Sequence, residues 1–433
     1  MRLKLLLGGI FAFHAGWYML VPFFAVLFTT RRGMTPAQVG LVLAAQSFTL
    51  LLGSLAGGAL ADRYGRRLTM SAGLVLRAAG VALLGLAYTV PGALAAAAVA
   101  GLGGGLYGPA AKAAISVLAT RWHHGNCDRT CVFSWRGIAA NIGTSSGPLL
   151  GSLLVRGPMP VLFGLSGAVH AAMGLLTWFL LPPEEGGVDA KARATWREML
   201  ADVPYLAFSL VTTLSWALFS QLALAVPLYA SRVLGLEASI GLLWTASSLV
   251  VIALQVPVTR YMTGRMSPMT AMAAGAVLLG AGLGLVGPAR SFVGLLGAVL
   301  VFVLGEMLLM PTVDTAVSLM APEAAIGSYF GLASFAWGLG EGIGNLTGGG
   351  LMQYALGRGR LGLPWAVYAG AGLAVGFLFW ALGRWVAATG RLGRPVVASA
   401  TAAASGKVQV YRPGQPVPDE DALVLGGFRS DDE

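Results

Sequence analysis

The chain has 433 residues, 56% of them hydrophobic and 11% charged, with a mean hydropathy of +0.75. A soluble domain carries roughly 25% charged residues, so a water-soluble globule is excluded: too few charges exist to keep large apolar patches from facing water. The formal net charge of +10 sits mainly as arginines in short loops between apolar runs, which points to a membrane surface and away from nucleic acid.

The apolar runs reach about twenty residues or more, enough to cross a hydrocarbon core of about 30 Å as helices. Twelve spans are predicted, with edges good to a few residues: about 5–28, 38–60, 68–88, 92–120, 133–155, 160–181, 204–230, 238–259, 268–287, 291–318, 326–354 and 363–388. The fold class is therefore an all-α membrane protein. Residues 1–181 form a first bundle and 204–388 a second. A polar linker at 182–203 holds Glu184, Glu185, Asp189, Lys191, Arg193, Arg197 and Glu198. The tail, 389–433, is rich in Ala, Gly and Pro and is expected to be disordered. The first apolar run is full length and lacks a small-residue cleavage site, so no signal peptide is expected. Loops on the side of the N-terminus carry more of the basic residues, which places both termini in the cytoplasm.

The two halves repeat weakly. Val21-Pro22 in span 1 answers Val226-Pro227 in span 7. Pro109-Ala-Ala-Lys112 in span 4 answers Pro311-Thr-Val-Asp314 in span 10, and Gly143, Gly147 and Gly151 in span 5 answer Gly340, Gly344 and Gly348 in span 11. All offsets lie near two hundred residues. With an even number of helices per half, the repeats run parallel and are related by an axis along the membrane normal.

The densest charge cluster is Gly58-Ala-Leu-Ala-Asp62-Arg63-Tyr64-Gly65-Arg66-Arg67, read as a charged turn between spans 2 and 3. Glycines at 58 and 65 permit close packing and a tight reversal. Asp62 lies at a membrane edge, where an exposed helix N-terminus attracts a carboxylate. The spacing Gly58-x3-Asp62-Arg63-x-Gly65-Arg66-Arg67, within an order of six helices, linker and six helices, resembles the major facilitator superfamily over about residues 5–388. That resemblance implies two pseudo-symmetric six-helix bundles, with the turn as a conformational gate. Asp62 would reach the start of span 11, near Ala325-Ile326-Gly327-Ser328, and opening toward the cytoplasm would break the contact. A second carboxylate usual at the end of span 4 has only Asp128 as a counterpart.

Span 5 reads Arg136-Gly137-x3-Asn141-x-Gly143-x3-Gly147-Pro148-x2-Gly151 and resembles the glycine–proline motif of the twelve-helix drug–proton antiporter branch. Ordinary close packing is a sufficient reason for the stripe on its own. Two enzyme-like patterns are rejected. Gly143-Thr-Ser145-Ser-Gly147 mimics a nucleophile elbow without the strand before it. Gly103-Gly-Gly105-Leu-Tyr-Gly108 mimics a dinucleotide loop, also without its strand or acid. No enzyme and no cofactor are expected.

Ionisable residues inside a membrane are costly and are functional candidates by default. They are Arg77, Lys112, Arg136, Glu306 and Asp314, with Glu341 a further member. By the family resemblance, spans 1, 4, 7 and 10 line a central cavity, so Lys112 and Asp314 would face each other. Glu306, without an evident partner, is the better proton carrier. Asp314 is either a second proton site or a salt-bridge latch with Lys112. Cavity candidates are His14, Trp17, Tyr18, Gln46, Tyr107, Lys112, Arg136, Asn141, Trp216, Met307 and Met310, of which about half are expected to line it. Adaptable aromatic and Met side chains suit amphipathic ligands. His123-His124-x2-Cys127-x3-Cys131 fits no standard zinc spacing, and its thiols are expected to stay reduced.

The expected function is proton-coupled export of amphipathic small molecules across a bacterial inner membrane, by a monomer embedded in the lipid bilayer. Transport of a defined organic anion or lipid-like metabolite, motivated by Lys112 and Arg136, and a non-transporting sensor on the same scaffold are the alternatives.

Overall fold

The computed structural model describes residues 2–121, 129–181, 201–263, 265–321 and 326–388. Among them, every regular element is a helix. Span 1 is broken into Arg2–Tyr18 and Val21–Arg31. Spans 2 to 6 are Pro36–Tyr64, Arg66–Leu86, Val90–Arg121, Arg129–Leu154 and Met159–Leu180. Span 7 is broken into Val203–Phe219, a 3-10 turn Ser220–Leu222 and Ala225–Arg232. Spans 8 to 12 are Ile240–Thr263, Pro268–Val286, Phe292–Met320, Ile326–Gly357 and Leu363–Ala388. Nine of these stretches are long and apolar enough to cross a membrane; spans 5, 8 and 11 complete the twelve. Spans 5 and 11 are less apolar because Arg136, Asn141, Glu341 and Asn345 interrupt them.

Local chemistry sets many of the ends. Thr35 and Gln38 form a reciprocal capping box at the start of span 2, with Pro36 in the first turn. Ser267 and Ser291 each accept a backbone N–H at the starts of spans 9 and 10. Such caps satisfy N–H groups that have no partner inside the helix. Inside the spans, Ser and Thr hydroxyls donate back to carbonyls one turn earlier, as Ser47 does to Leu43 and Thr212 to Phe208. That keeps polar side chains satisfied away from water.

The pseudo-repeat is visible as matching breaks. Pro22 and Pro227 each sit near the start of the second piece of spans 1 and 7, where a missing N–H interrupts the helical ladder. The glycine stripes match as well. A Cβ on Gly143, Gly147 or Gly151 would lie 2.5, 2.8 or 2.2 Å from the carbonyl oxygens of Phe11, Ala15 and Met19 in span 1. One on Gly340 or Gly344 would meet Thr213 and Ala217 carbonyls of span 7 at 2.2 and 2.4 Å, and Gly348 abuts the Gln221 side chain. The span 5–span 1 and span 11–span 7 pairs are the same close crossing, made twice. Pro148 is buried within span 5.

The charged turn differs from its sequence reading. Span 2 continues through Gly58 and Asp62 to Tyr64, and Gly65 alone, at φ 88°, reverses the chain. Gly58 has open space where its Cβ would be, so it serves neither the reversal nor a close contact. Strong helix formers around it, Leu55, Ala56, Ala59, Leu60 and Ala61, carry the helix across the pair Gly57-Gly58, at a cost of about 1 kcal/mol per glycine. Arg66 and Arg67 open span 3, and the Arg67 guanidinium lies 4.3 Å over the Trp178 ring of span 6. Arg63 lies beside the Tyr64 ring. The side chains of Asp62 and of residues 326–328 are outside the described residues, as are Asp128, His123, His124, the side chain of Cys131, Cys127, most of the linker and the whole tail.

The bundles meet through spans 2 and 11 and through spans 5 and 8. Gly40 packs on the Asn345 carbonyl and Gly349 on that of Pro36, while Gly241 seats on Ser152 and Pro148. On the membrane face bearing Arg31 the halves are sealed. Arg31 donates to the Val155 and Gly157 carbonyls, and Arg32 donates to Gly85 at 2.7 Å while lying over Tyr88. Arg290 donates to the Tyr229 hydroxyl and the Gly287 carbonyl. Arg232 crosses between halves to the Thr29 carbonyl. Arginine is suited to this role because carbonyls at helix C-termini lack partners and carry partial negative charge. On the opposite face Lys112 and Asp314 are exposed.

Candidate functional site

Between the bundles lies a cavity with about 1060 Å³ of empty space, counted out to its mouth. Its walls come from both halves: Trp17, Tyr18, Val21 and Phe24 of span 1, Leu43 and Gln46 of span 2, Asn141, Thr144 and Ser145 of span 5, and Phe219, Ser220, Leu222 and Ala223 at the break in span 7. Trp244, Ser247, Ser248, Val251 and Ile252 of span 8, Val303 and Glu306 of span 10, and Glu341 and Asn345 of span 11 also line it. The two helix breaks therefore form the end of the cavity nearest the sealed face.

The chemistry of the wall is sharply divided. Aromatic rings of Trp17, Tyr18, Phe24, Phe219 and Trp244 line it beside aliphatic side chains, with Tyr18 and Trp244 facing each other across the halves at 6.1 Å. Against them stand two half-buried carboxylates, Glu306 and Glu341, both within electrostatic reach of Tyr18. Among the described residues no Lys, Arg or His lines it. Aromatic faces and carboxylates both attract cations, and a desolvated cation–aromatic contact contributes about 2 kcal/mol.

Of the predicted site residues, the structure brings Trp17, Tyr18, Gln46, Asn141 and Glu306 together on this cavity. It places the others elsewhere. His14 stacks near Tyr18, with Nδ1 paired to the Ile10 carbonyl at 2.8 Å. Tyr107 is buried and stacks on Phe13 at 4.8 Å. Trp216 is buried between Phe219 and Trp337. Met307 belongs to the core, and Met310 packs on it half-buried. Met307 directly follows Glu306, and one residue along a helix turns the side chain about 100°. Lys112, Arg136 and Asp314 sit together toward the face opposite Arg31, within reach of one another's charges.

Sequence reading did not select Trp244, Ser247, Ser248 or Asn345, and it held Glu341 only as an extra intramembrane charge. Glu341 and Asn345 carried a usable signal: they are polar residues placed directly after Gly340 and Gly344 of a helix-crossing stripe. Trp244 had none, since a Trp in an apolar helix serves packing equally well. Gln255 of span 8 donates to the Met307 carbonyl at 3.1 Å and ties spans 8 and 10.

The family model of the Major Facilitator Superfamily matches residues 6–345. The chain belongs to that superfamily. This facilitator is 28% identical over 359 residues to the multidrug resistance protein MdtH of Aeromonas hydrophila, covering 83% of this chain and 89% of the relative. It is 27% identical over 366 residues to an uncharacterised MFS-type transporter of Mycobacterium tuberculosis, covering 81% and 86% of the two chains. Among solved structures it resembles a peptide transporter POT, with a TM-score of 0.73 at 18% identity over 89% of this chain and 94% of the other. It also resembles the nucleoside transporter NupG, with a TM-score of 0.67 at 15% identity, over 89% and 100%. At those identities the structures speak for the fold alone: twelve membrane helices in two pseudo-symmetric bundles. Membership of the superfamily makes the chain a multi-pass membrane transporter.

Proposed function

We propose that this facilitator exports amphipathic cations in exchange for protons, by alternating exposure of the central cavity to the two faces of a bacterial inner membrane. The observation that carries this reading is the pairing of Glu306 and Glu341 with an aromatic wall that, among the described residues, holds no basic one. An uncompensated carboxylate in a dehydrated site is costly. Glu306 is therefore relieved by either a proton or a bound cation, and competition for that carboxylate couples the two fluxes. The relatives named multidrug resistance proteins support export of foreign amphiphiles.

In this reading the chain works as a monomer with both termini cytoplasmic, and the described state is open to the cytoplasm. The turn around Asp62, Arg63, Gly65, Arg66 and Arg67 latches that side when it closes. Lys112, Arg136 and Asp314 form a charged mouth through which cargo passes. Because those cations stand at the mouth and the carboxylates at the cavity, the geometry favours a cation over an organic anion as cargo.

The test is transport by the purified protein in liposomes, using a lipophilic quaternary ammonium probe and an imposed pH gradient. Wild type should move the probe against its gradient, and Glu306→Gln should lose gradient-driven transport. Full gradient-driven transport by Glu306→Gln would remove the assignment.

A further inference from the structure

Arg77 of span 3 is unused by this mechanism, yet it is the most unusual charge in the molecule. It is 1% exposed, far from either membrane surface, and its Nε has no hydrogen-bond partner. Its guanidinium carbon lies 4.6 Å from the centre of the Phe13 ring and 4.5 Å from that of Trp17. Nη1 donates to the Ala100 carbonyl at 3.2 Å. Trp17 is cavity wall, so one aromatic ring separates this fixed cation from the site.

The glycine run in span 4 explains how the arginine fits. A Cβ on Gly104 would lie 2.1 Å from Nη1, and one on Gly103 would lie 2.3 Å from the Arg77 backbone nitrogen. In the run that mimics a nucleotide loop in sequence, Gly104 thus leaves the room the guanidinium occupies and Gly103 lets spans 3 and 4 close on each other. Arginine suits the position because its planar group keeps its charge and can meet two aromatic faces at once. Across the bundle interface, Glu341 is the carboxylate whose charge reaches Arg77.

We propose that Arg77 is a specificity-determining residue of the cavity: a buried cation behind Trp17 that offsets one of the two carboxylates and leaves the site matched to a single positive charge. The sum is simple. Glu306 and Glu341 bring two negative charges and Arg77 brings one positive, so one proton or one monovalent cation neutralises the site. A dication would leave an excess positive charge in a low-dielectric interior, where charge imbalance is felt strongly. This rests on the cation-export reading above.

The experiment compares binding of a monovalent and a divalent quaternary ammonium of matched aromatic content, by tryptophan fluorescence of the full chain in detergent. Wild type should prefer the monocation. Arg77→Met should raise the ratio of dication to monocation affinity by about tenfold or more. Arg77→Met/Glu341→Gln should return it to the wild-type preference, because both charges of the pair are gone. A merely structural role for Arg77 would not be rescued by removing a carboxylate. Arg77→Lys should keep the monocation preference while altering the fluorescence contributed by Trp17. An unchanged ratio in Arg77→Met, with wild type binding monocations, overturns the inference and leaves the export reading intact. Failure of wild type to bind either cation sinks the reading itself. If Arg77→Met does not accumulate, the double variant decides: recovery with monocation preference supports the charge argument, and failure to recover assigns Arg77 to packing.

Discussion

The Nη2 of Arg232 donates to the carbonyl oxygen of Thr29 at 2.8 Å and so joins the short second pieces of spans 7 and 1. It is a bond between the two halves, made on the sealed face by a residue in the last turn of its helix. A hydrogen bond from a charged group contributes about 1.5–3 kcal/mol. Arg232→Gln should therefore shift the population toward the state open on that face by roughly tenfold. Labelling of a Ser248→Cys reporter by an impermeant thiol reagent from that side measures it; an unchanged labelling rate would show that the bond does not hold the seal.

Trp244 faces Tyr18 across the cavity. Trp244→Ala should weaken binding of an aromatic quaternary ammonium roughly tenfold, and that of its uncharged isostere much less, since the cation-specific part is about 0.5–2 kcal/mol. Titration with both compounds separates the ring's charge attraction from its apolar area.

The glycine stripe of span 5 predicts a steric effect without chemistry. At Gly147 a Cβ would lie 2.8 Å from the Ala15 carbonyl, whereas Gly164 has open space. Gly147→Val should lower thermal stability by about 1–3 kcal/mol, the usual cost of overpacking, and Gly164→Ala should be close to neutral. Melting of the detergent-solubilised variants compares them directly.

The start of span 7 is tied to span 11 by a buried polar cluster. The Tyr329 hydroxyl donates to Oδ2 of Asp202 at 2.8 Å, and the Tyr205 hydroxyl donates to the Tyr329 carbonyl. Tyr329→Phe should cost about 1.5–3 kcal/mol by removing a bond to an acidic group 7% exposed. The same variant should loosen the beginning of span 11, which faster amide exchange near residues 329–334 would report.

Much of the architecture was legible because a few residue types leave little freedom. Pro22 and Pro227 stand beside the breaks in spans 1 and 7, and glycines four apart, as in Gly143, Gly147 and Gly151, can hardly avoid a crossing. Facing was harder to read. Met307 and Glu306 are neighbours in sequence, yet one is core and the other cavity. Tyr107 looked like a cavity residue from its span but is held inward by Phe13. Gly58 looked like a turn glycine within a charge cluster, but helix continuity across it cost too little to stop the span. The room that Gly104 leaves could not be read at all without knowing that Arg77 lies against it. Such contacts join residues of different helices, and a single sequence carries no trace of the pairing.

The broken spans also fix how far cargo travels in each stroke. The second pieces of spans 1 and 7 have 11 and 8 residues, about 16 and 12 Å of helix, or roughly half the hydrocarbon thickness of about 30 Å. A molecule resting on the floor they form stands near the middle of the bilayer. In the proposed export cycle its passage would be two half-journeys, with one thin partition to displace at a time.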